Sequence, residues 1–316
     1  MFRGVLLSCE RPVITIRCDL CGGCEQDLVF VKEGFRHVRC RTCGMVFVNP
    51  RLAEHLEAQK NCGTGAMGDD TLTGPQIRRL RRELAEINGF RKLNRILEVG
   101  AGKGWFLSEA AQSGWEAWAV EINSSAIRDL KSKGLYKIIS EPAEDFEVPN
   151  DYFDVARTWD VIEHLRSPHR SVANIWRALR PGGILRLSTT NFASFSRWVN
   201  GPEWVYLNGA DHIFLFEPET ITRLLAQQGF ENIIIRTRSF NLRRKLYHPE
   251  QDLPTRLHIL TPFRKLIDEA IRFTRYGHQM IVTAVKVERA LKTSIKKHIT
   301  MNCITPVQRP PAISKK

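Results

Sequence analysis

From residue 95 onward short apolar runs alternate with amphipathic stretches, and this periodicity narrows the possible folds more than any other feature of the 316-residue chain. The runs at 96–99, 118–120, 136–139, 153–158 and 184–188 read as strands, and 105–113, 126–133 and 171–179 as helices between them. Strands joined through helices run parallel, so the expectation is an α/β sheet covered on both faces. Further on, 220–228 reads as a helix, 232–236 as a strand and 280–287 as a last apolar strand. An insertion over 241–277 separates those two strands, and in it Ile259, Leu260, Phe263, Ile267, Ala270 and Ile271 follow helical spacing. Upstream, Ile77, Leu80, Leu84 and Ile87 mark an amphipathic helix whose Arg78, Arg79, Arg81 and Arg82 are expected to face solvent.

Five of the eight cysteines fall between residues 18 and 43. Clustering of this kind, without a signal-peptide pattern, points to metal rather than disulfides. Cys18-Asp19-Leu20-Cys21-Gly22 and Cys40-Arg41-Thr42-Cys43-Gly44 are two copies of C-x2-C-G separated by 18 residues, the spacing of a zinc ribbon. A two-residue gap lets both thiolates of a tight turn face one ion, and the following Gly can take the positive φ that the turn needs. Cys18, Cys21, Cys40 and Cys43 would close a tetrahedral site with no open position, so the zinc is expected to be structural. Cys24 forms a third C-x2-C pair with Cys21. It competes with Cys18 as the fourth ligand, or makes a redox dithiol.

The strand at 96–99 runs into Gly100-Ala101-Gly102-Lys103-Gly104 and then a helix, the context in which a Gly-rich match becomes a ligand-binding loop. Glu121 stands 21 residues after Gly100, at the end of the next strand, where a carboxylate can accept both hydroxyls of a ribose. A dinucleotide dehydrogenase would carry G-x-G-x-x-G. The compact G-x-G-x-G preceded by Glu98 instead resembles motif I of the class I S-adenosylmethionine (SAM) methyltransferases. Phe153-Asp154-Val155, Trp159-Asp160-Val161-Ile162-Glu163-His164, Leu179-Arg180-Pro181-Gly182-Gly183 and Thr189-Thr190-Asn191 continue the resemblance in the family's order. A ribbon ending in Cys43-Gly44-Met45-Val46-Phe47-Val48-Asn49-Pro50, with Trp204, Asp211-His212 and Gly229-Phe230 further on, is similar to bacterial zinc-ribbon methyltransferases often encoded near glycan-synthesis functions. The match covers roughly 18–50 and 95–240.

That resemblance implies a Rossmann-like sheet, mostly parallel with an antiparallel last strand, preceded by a small zinc ribbon. It implies an organisation into a ribbon (1–50), a linker with the amphipathic helix (51–90), a SAM-binding domain (91–287, with the insertion) and a basic tail (288–316). Gly100, Gly102 and Gly104 would pass under the methionine part of SAM, Glu98 would orient its ammonium, and Glu121 would hold the ribose. Glu144 matches the acidic position near the adenine amine, with Pro142 where the family often has Asp. Asp160 would sit beside the methyl donor. Methyl transfer is an in-line displacement in which positioning supplies most of the catalysis, and a base is needed only for an acceptor of high pKa. His164 and His212 are the candidate bases, each with packing or capping as its structural alternative.

The N-P-P-Y/F motif of exocyclic amino methyltransferases is missing after the fourth strand, and no Pro-Cys supplies a nucleophile for cytosine carbon-5. The expected acceptor is therefore an oxygen or carbon of a small molecule: a sugar, a glycan or a lipid-linked intermediate. Of the +13 net charge, +11 lies in residues 241–316, which keeps contact with RNA or an anionic membrane surface open as alternatives. RNA methylation is the rival activity, and a non-catalytic SAM-binding scaffold the rival class. No run approaches the roughly 18 apolar residues of a membrane span, so a cytoplasmic protein is expected, with a peripheral membrane contact open.

Overall fold

The computed structural model describes residues 12–53, 72–238 and 274–287. At the N-terminal end β1 (Val13–Ile14) pairs antiparallel with β5 (Arg51–Leu52), beyond the ribbon limit expected at residue 50. Between them β2 (Gln26–Lys32), β3 (Phe35–Cys40) and β4 (Val46–Val48) form an antiparallel sheet. Helix α1 (Gly74–Ile87) follows, opened by Pro75 and by Thr73, whose N–H donates to Gln76 Oε1 at 2.8 Å.

The alternating region then supplies β6 (Arg95–Val99), α2 (Trp105–Gln112), β7 (Glu116–Val120), α3 (Ser124–Lys133), β8 (Lys137–Ile139) and β9 (Phe153–Trp159). It continues with α4 (Pro168–Ala178), β10 (Leu179–Thr190), α5 (Phe195–Asn200), β11 (Phe214–Leu215), α6 (Pro218–Gln228), β12 (Phe230–Arg238) and β13 (Gln279–Lys286). Seven strands form one sheet in the order β12-β13-β10-β9-β6-β7-β8. Pairs within β8-β7-β6-β9-β10 are parallel, and β13 is antiparallel to both its neighbours. This is the Rossmann-like class I methyltransferase sheet, with its reversed last strand.

Period-two alternation sorts the strand residues between two faces. Ile96, Val155 and Ile184 are cross-strand partners and pack with Leu84 and Ile87 of α1, Phe106 and Leu107 of α2 and Leu130 of α3. Leu97, Ala156 and Leu185 point the other way, onto Val172 and Ile175 of α4 and Ile221 and Leu224 of α6. The same second core includes Cys18, Cys43, Met45, Phe47 and Val48, so the ribbon is packed into it.

The ribbon is also joined through its backbone, because β11 pairs with β4 and the small sheet runs β11-β4-β3-β2. Polar contacts reinforce the joint. Asp19 accepts from Ser167 Oγ at 2.6 Å and His169 N–H at 2.8 Å, and Arg39 makes a forked pair with Glu217 at 2.8 and 3.2 Å. The helical pattern expected in the 241–277 insertion, from Ile259 to Ile271, falls wholly in 239–273, and the basic tail is 288–316; both lie outside the described residues. Among the described residues no helix is long and apolar enough to cross a membrane.

Candidate active site

The loop after β6 approaches its neighbours more closely than a side chain would allow. Gly100, Gly102 and Gly104 have φ of 75°, 52° and 68°. A Cβ on Gly100 would stand 2.4 Å from Val161 Cγ2, and one on Gly104 2.4 Å from Leu130 Cδ2. Glu121, at the end of β7, is fixed against this loop by backbone donors. Its Oε2 accepts from Gly102 N–H at 2.7 Å, and its Oε1 from Ile122 and Asn123 N–H at 2.9 and 2.8 Å. Beside the loop lies a cleft of about 240 Å³, bounded by Glu98, Trp105, Phe106 and Trp159 and by Gln76 and Arg79 from α1.

Glu98 is buried among the residues lining this cleft, and one of its two oxygens is already engaged. Its Oε1 pairs with Arg157, the residue opposite it on β9, and Arg157 also forks onto Glu83 of α1 at 2.8 and 3.2 Å. The guanidinium lies over the rings of both Phe106 and Trp159, 4.2 and 4.3 Å from their centroids. Burial, only partly offset by Arg157, pushes the Glu98 carboxyl up to about 7. Its Oε2 is buried with no hydrogen-bond partner. That orphaned acceptor at the loop's edge suits a cationic donor group, so the residues fit the amino-acid end of SAM.

A second, smaller cavity of about 110 Å³ opens at the ends of β9 and β10. Asp160 enters it with φ 53° and accepts from Ser188 Oγ at 2.8 Å and Gln279 Nε2 at 3.1 Å. The 3-10 turn Ile162–His164 then brings Glu163 inward, where Oε2 accepts from Thr189 Oγ1 at 2.9 Å and Oε1 has no partner. The N–H of Ile213 donates to Glu163 O at 3.0 Å, and this bond holds His212 against the turn. The rings of His164 and His212 meet edge to face, 4.6 Å between centroids, with Tyr206 stacked beyond His212.

The two candidate bases differ in their surroundings. The carboxylate of Asp211 pairs with His164 Nδ1 at 2.9 Å. Despite burial, that pairing and the nearby Glu163 carry His164 up to about 9, so at neutral pH it is a cation and not a free base. Burial and the His164 charge take His212 down to about 4, leaving it neutral with an unpartnered Nδ1. Burial pushes Glu163 up to about 7, against the opposing pull of His164.

Glu144 is not among the residues lining either cavity. It is buried, and its Oε1 accepts from Arg166 and Ser167 N–H at 2.7 and 3.2 Å, fixing the entry to α4. The arginines of α1 are exposed, as expected, though two of them also make contacts: Arg81 pairs with Glu109 at 2.7 Å and Arg79 lies 5.4 Å from the Trp159 ring centroid. Arg157, Trp159, Tyr206 and His278 were not anticipated. An arginine inside a strand buried on both faces was the available signal, since such a charge requires carboxylates around it.

Two groups of side chains could hold a metal ion. Cys18, Cys21, Cys40 and Cys43 have all their sulfurs within 4.8 Å of one another, with Cys18 to Cys43 at 3.4 Å and Cys21 to Cys40 at 3.5 Å. A tetrahedral zinc with Zn–S near 2.3 Å sets sulfurs about 3.8 Å apart, so these residues fit one. Gly22 and Gly44 take φ of 73° and 80°, as each C-x2-C turn demands, while Cys24 is exposed and outside the group. Glu163, His164 and His212 form the second group, again within 4.8 Å.

A family model described as "Methyltransferase domain" matches residues 73–234. A "Ubiquinone biosynthesis O-methyltransferase" of Dinoroseobacter shibae is 30% identical over 171 residues, covering 51% of this chain and 68% of that protein. A protein of the same name from Maricaulis maris is 29% identical over 150 residues, 43% of this chain, and the match spans only 58% of that relative's length. Among solved structures, a SAM-dependent methyltransferase from Archaeoglobus fulgidus superposes with a TM-score of 0.49 at 20% identity, over 74% of this chain and 100% of that one.

Proposed function

Because the chain belongs to the methyltransferase-domain family, we propose that it moves the methyl group of SAM to an oxygen of a small-molecule acceptor. The observation that carries the donor half is the Glu121 carboxylate, oriented by three backbone N–H groups and pinned to the glycine loop. In this reading the carboxylate receives the ribose hydroxyls, the loop 100–104 carries the amino-acid part, and Glu98 Oε2 accepts from the ammonium. When bound, SAM supplies a methyl carbon already activated by its sulfonium.

The chain's own contribution is position and proton handling. The cavity holding Asp160, Glu163 and His212 lies one residue beyond Trp159 of the donor cleft, so an acceptor there meets the donor across the end of β9. Neutral His212, with Nδ1 unpartnered, and buried Glu163, with Oε1 unpartnered, are the groups that can take a hydroxyl proton. His164, held protonated by Asp211, fixes the local charge. The similarity to proteins named O-methyltransferases supports oxygen over carbon, and sugar and lipid-linked acceptors remain within the class. A structural zinc in the four-cysteine group completes the proposal.

A divalent cation held by Glu163, His164 and His212 is a second reading of the same cavity. It is favoured by the two orphaned ligand atoms and by the Asp211 carboxylate behind His164, the outer partner that metal-bound histidines usually have. Such an ion would lower the pKa of a coordinated hydroxyl without a protein base. Counting metal in the purified chain separates the two. One bound ion per chain supports the base reading, whereas two, falling to one in Glu163→Gln, support the cation.

The donor site is tested by calorimetric titration with SAM and with S-adenosylhomocysteine. Micromolar binding, on the order of −8 kcal/mol, that weakens at least tenfold in Glu121→Ala is the expected result. No binding by folded wild-type protein would sink the donor assignment.

A further inference from the structure

A third cavity, of about 160 Å³, lies beside the donor cleft and shares Arg79 and Glu83 with it. The sheet explains its chemistry. Ile96, Val155 and Ile184 are partners on the face beneath α1, and two residues further along that face the partners become Glu98, Arg157 and Arg186. Toward the strand ends, Ser188 and Ile281 lead across to Arg236, and Thr190 and Gln279 to Arg238. The apolar face thus turns cationic where the strands end. Arg79 and Arg82, exposed on α1, border it, so five guanidinium groups from α1, β10 and β12 line one cleft.

The two carboxylates there are already engaged. Both Glu83 oxygens are taken by Arg157, and Glu86 Oε2 accepts from Arg186 at 2.6 Å. Arg186 is itself nine-tenths buried and keeps a buried Nε with no partner. Among the described residues no carboxylate pairs with Arg79, Arg82, Arg236 or Arg238. Burial and the neighbouring Arg79 and Arg186 charges take Arg238 down to about 10, against the opposing pull of Glu83 and Glu86. The Trp159 ring links the cleft to the donor side, with the guanidinium carbons of Arg79, Arg157 and Arg238 at 5.4, 4.3 and 5.5 Å from its centroid.

We propose that this arginine cleft seats a phosphate or pyrophosphate group carried by the methyl acceptor. A carboxylate is satisfied by one guanidinium fork, whereas four forks without carboxylates, arriving from different elements, match the many acceptor oxygens of adjacent phosphates. The cavity is too small to track a nucleic-acid backbone, whose binding draws on many phosphate contacts along a surface. The assignment of this anion to the acceptor rests on the donor reading of the neighbouring cleft, since Arg79 borders both. The anion-binding property itself does not.

The full chain, saturated with S-adenosylhomocysteine, is titrated with inorganic pyrophosphate, alongside an Arg82→Ala/Arg236→Ala double variant; neither residue lines the donor cleft. The expected result is pyrophosphate binding that weakens at least tenfold in the double variant with S-adenosylhomocysteine affinity unchanged. Phosphatidylcholine vesicles containing phosphatidic acid distinguish the source. Sedimentation with them by wild type, lost in the variant, assigns the phosphate to a lipid headgroup, and binding of pyrophosphate without sedimentation assigns it to a soluble acceptor. No pyrophosphate binding at millimolar concentration, or equal binding by the variant, overturns the proposal. Displacement of pyrophosphate by an RNA oligonucleotide with steep salt dependence overturns it in favour of nucleic acid. Should S-adenosylhomocysteine fail to bind while pyrophosphate binds, the donor reading falls and the anion site stands.

Discussion

At the scale of single residues, the glycine loop and the buried charges make opposite demands on the chain. Gly100 needs the absence of a side chain both for its φ of 75° and for the 2.4 Å approach to Val161. Gly134 has φ 62° but nothing within 4 Å of an added Cβ. Gly134→Ala should therefore cost only the backbone term, about 1–2 kcal/mol, and leave donor binding intact. Gly100→Ala should cost at least as much and weaken SAM binding more than tenfold, because Val161 or the loop must move. Thermal melts and donor titrations on the pair check both. The glycine spacing and Glu121 were legible in the sequence because a strand, a G-x-G-x-G turn and a strand-end acid keep fixed intervals. The Asp211 pairing with His164 was not, because which histidine a carboxylate reaches is decided by a turn 47 residues upstream.

Among elements, one carboxylate ties four segments together. Glu116 at the start of β7 accepts from Trp118 Nε1 at 3.0 Å, Tyr152 OH at 3.0 Å, Lys137 Nζ at 3.3 Å and Arg95 Nε at 3.2 Å, joining β6, β7, β8 and the approach to β9. These donors outweigh its slight burial and hold its carboxyl at about 2, below the usual 4.5. A group depressed on folding stabilises the native state above its unfolded pKa, and that contribution is lost as pH falls from about 4.5 toward 2. Glu116→Gln should melt below wild type at pH 7, and the gap should shrink steadily between pH 5 and pH 3. A gap independent of pH would show that packing, rather than charge, is what the substitution removed. Helix and strand positions in this region were readable from apolar period to within a few residues. The short β11 was not, since a two-residue strand carries no periodicity and exists only because β4 offers it a partner.

For the whole molecule, the ribbon and the larger sheet share one core and one antiparallel joint, so the proposed zinc should matter well beyond its four sulfurs. Chelation of the metal, or Cys40→Ser, is expected to lower the melting temperature by several degrees and to reduce turnover. The route is short: β4 pairs with β11, and β11 begins two residues after His212. Loss of zinc with no change in melting or turnover would show the ribbon to be an independent appendage. The α/β class, the glycine loop with its strand-end acids and the two C-x2-C turns are all legible in the order of residues, because each is set by periodicity or by spacing within a short stretch. Folding alone brings Glu98 against Arg157, Asp211 to His164, Glu144 to a helix entry and arginines from α1, β10 and β12 into one cleft. Those facts depend on which strands become neighbours and on which face of the sheet each side chain falls, and no local interval in the chain encodes either.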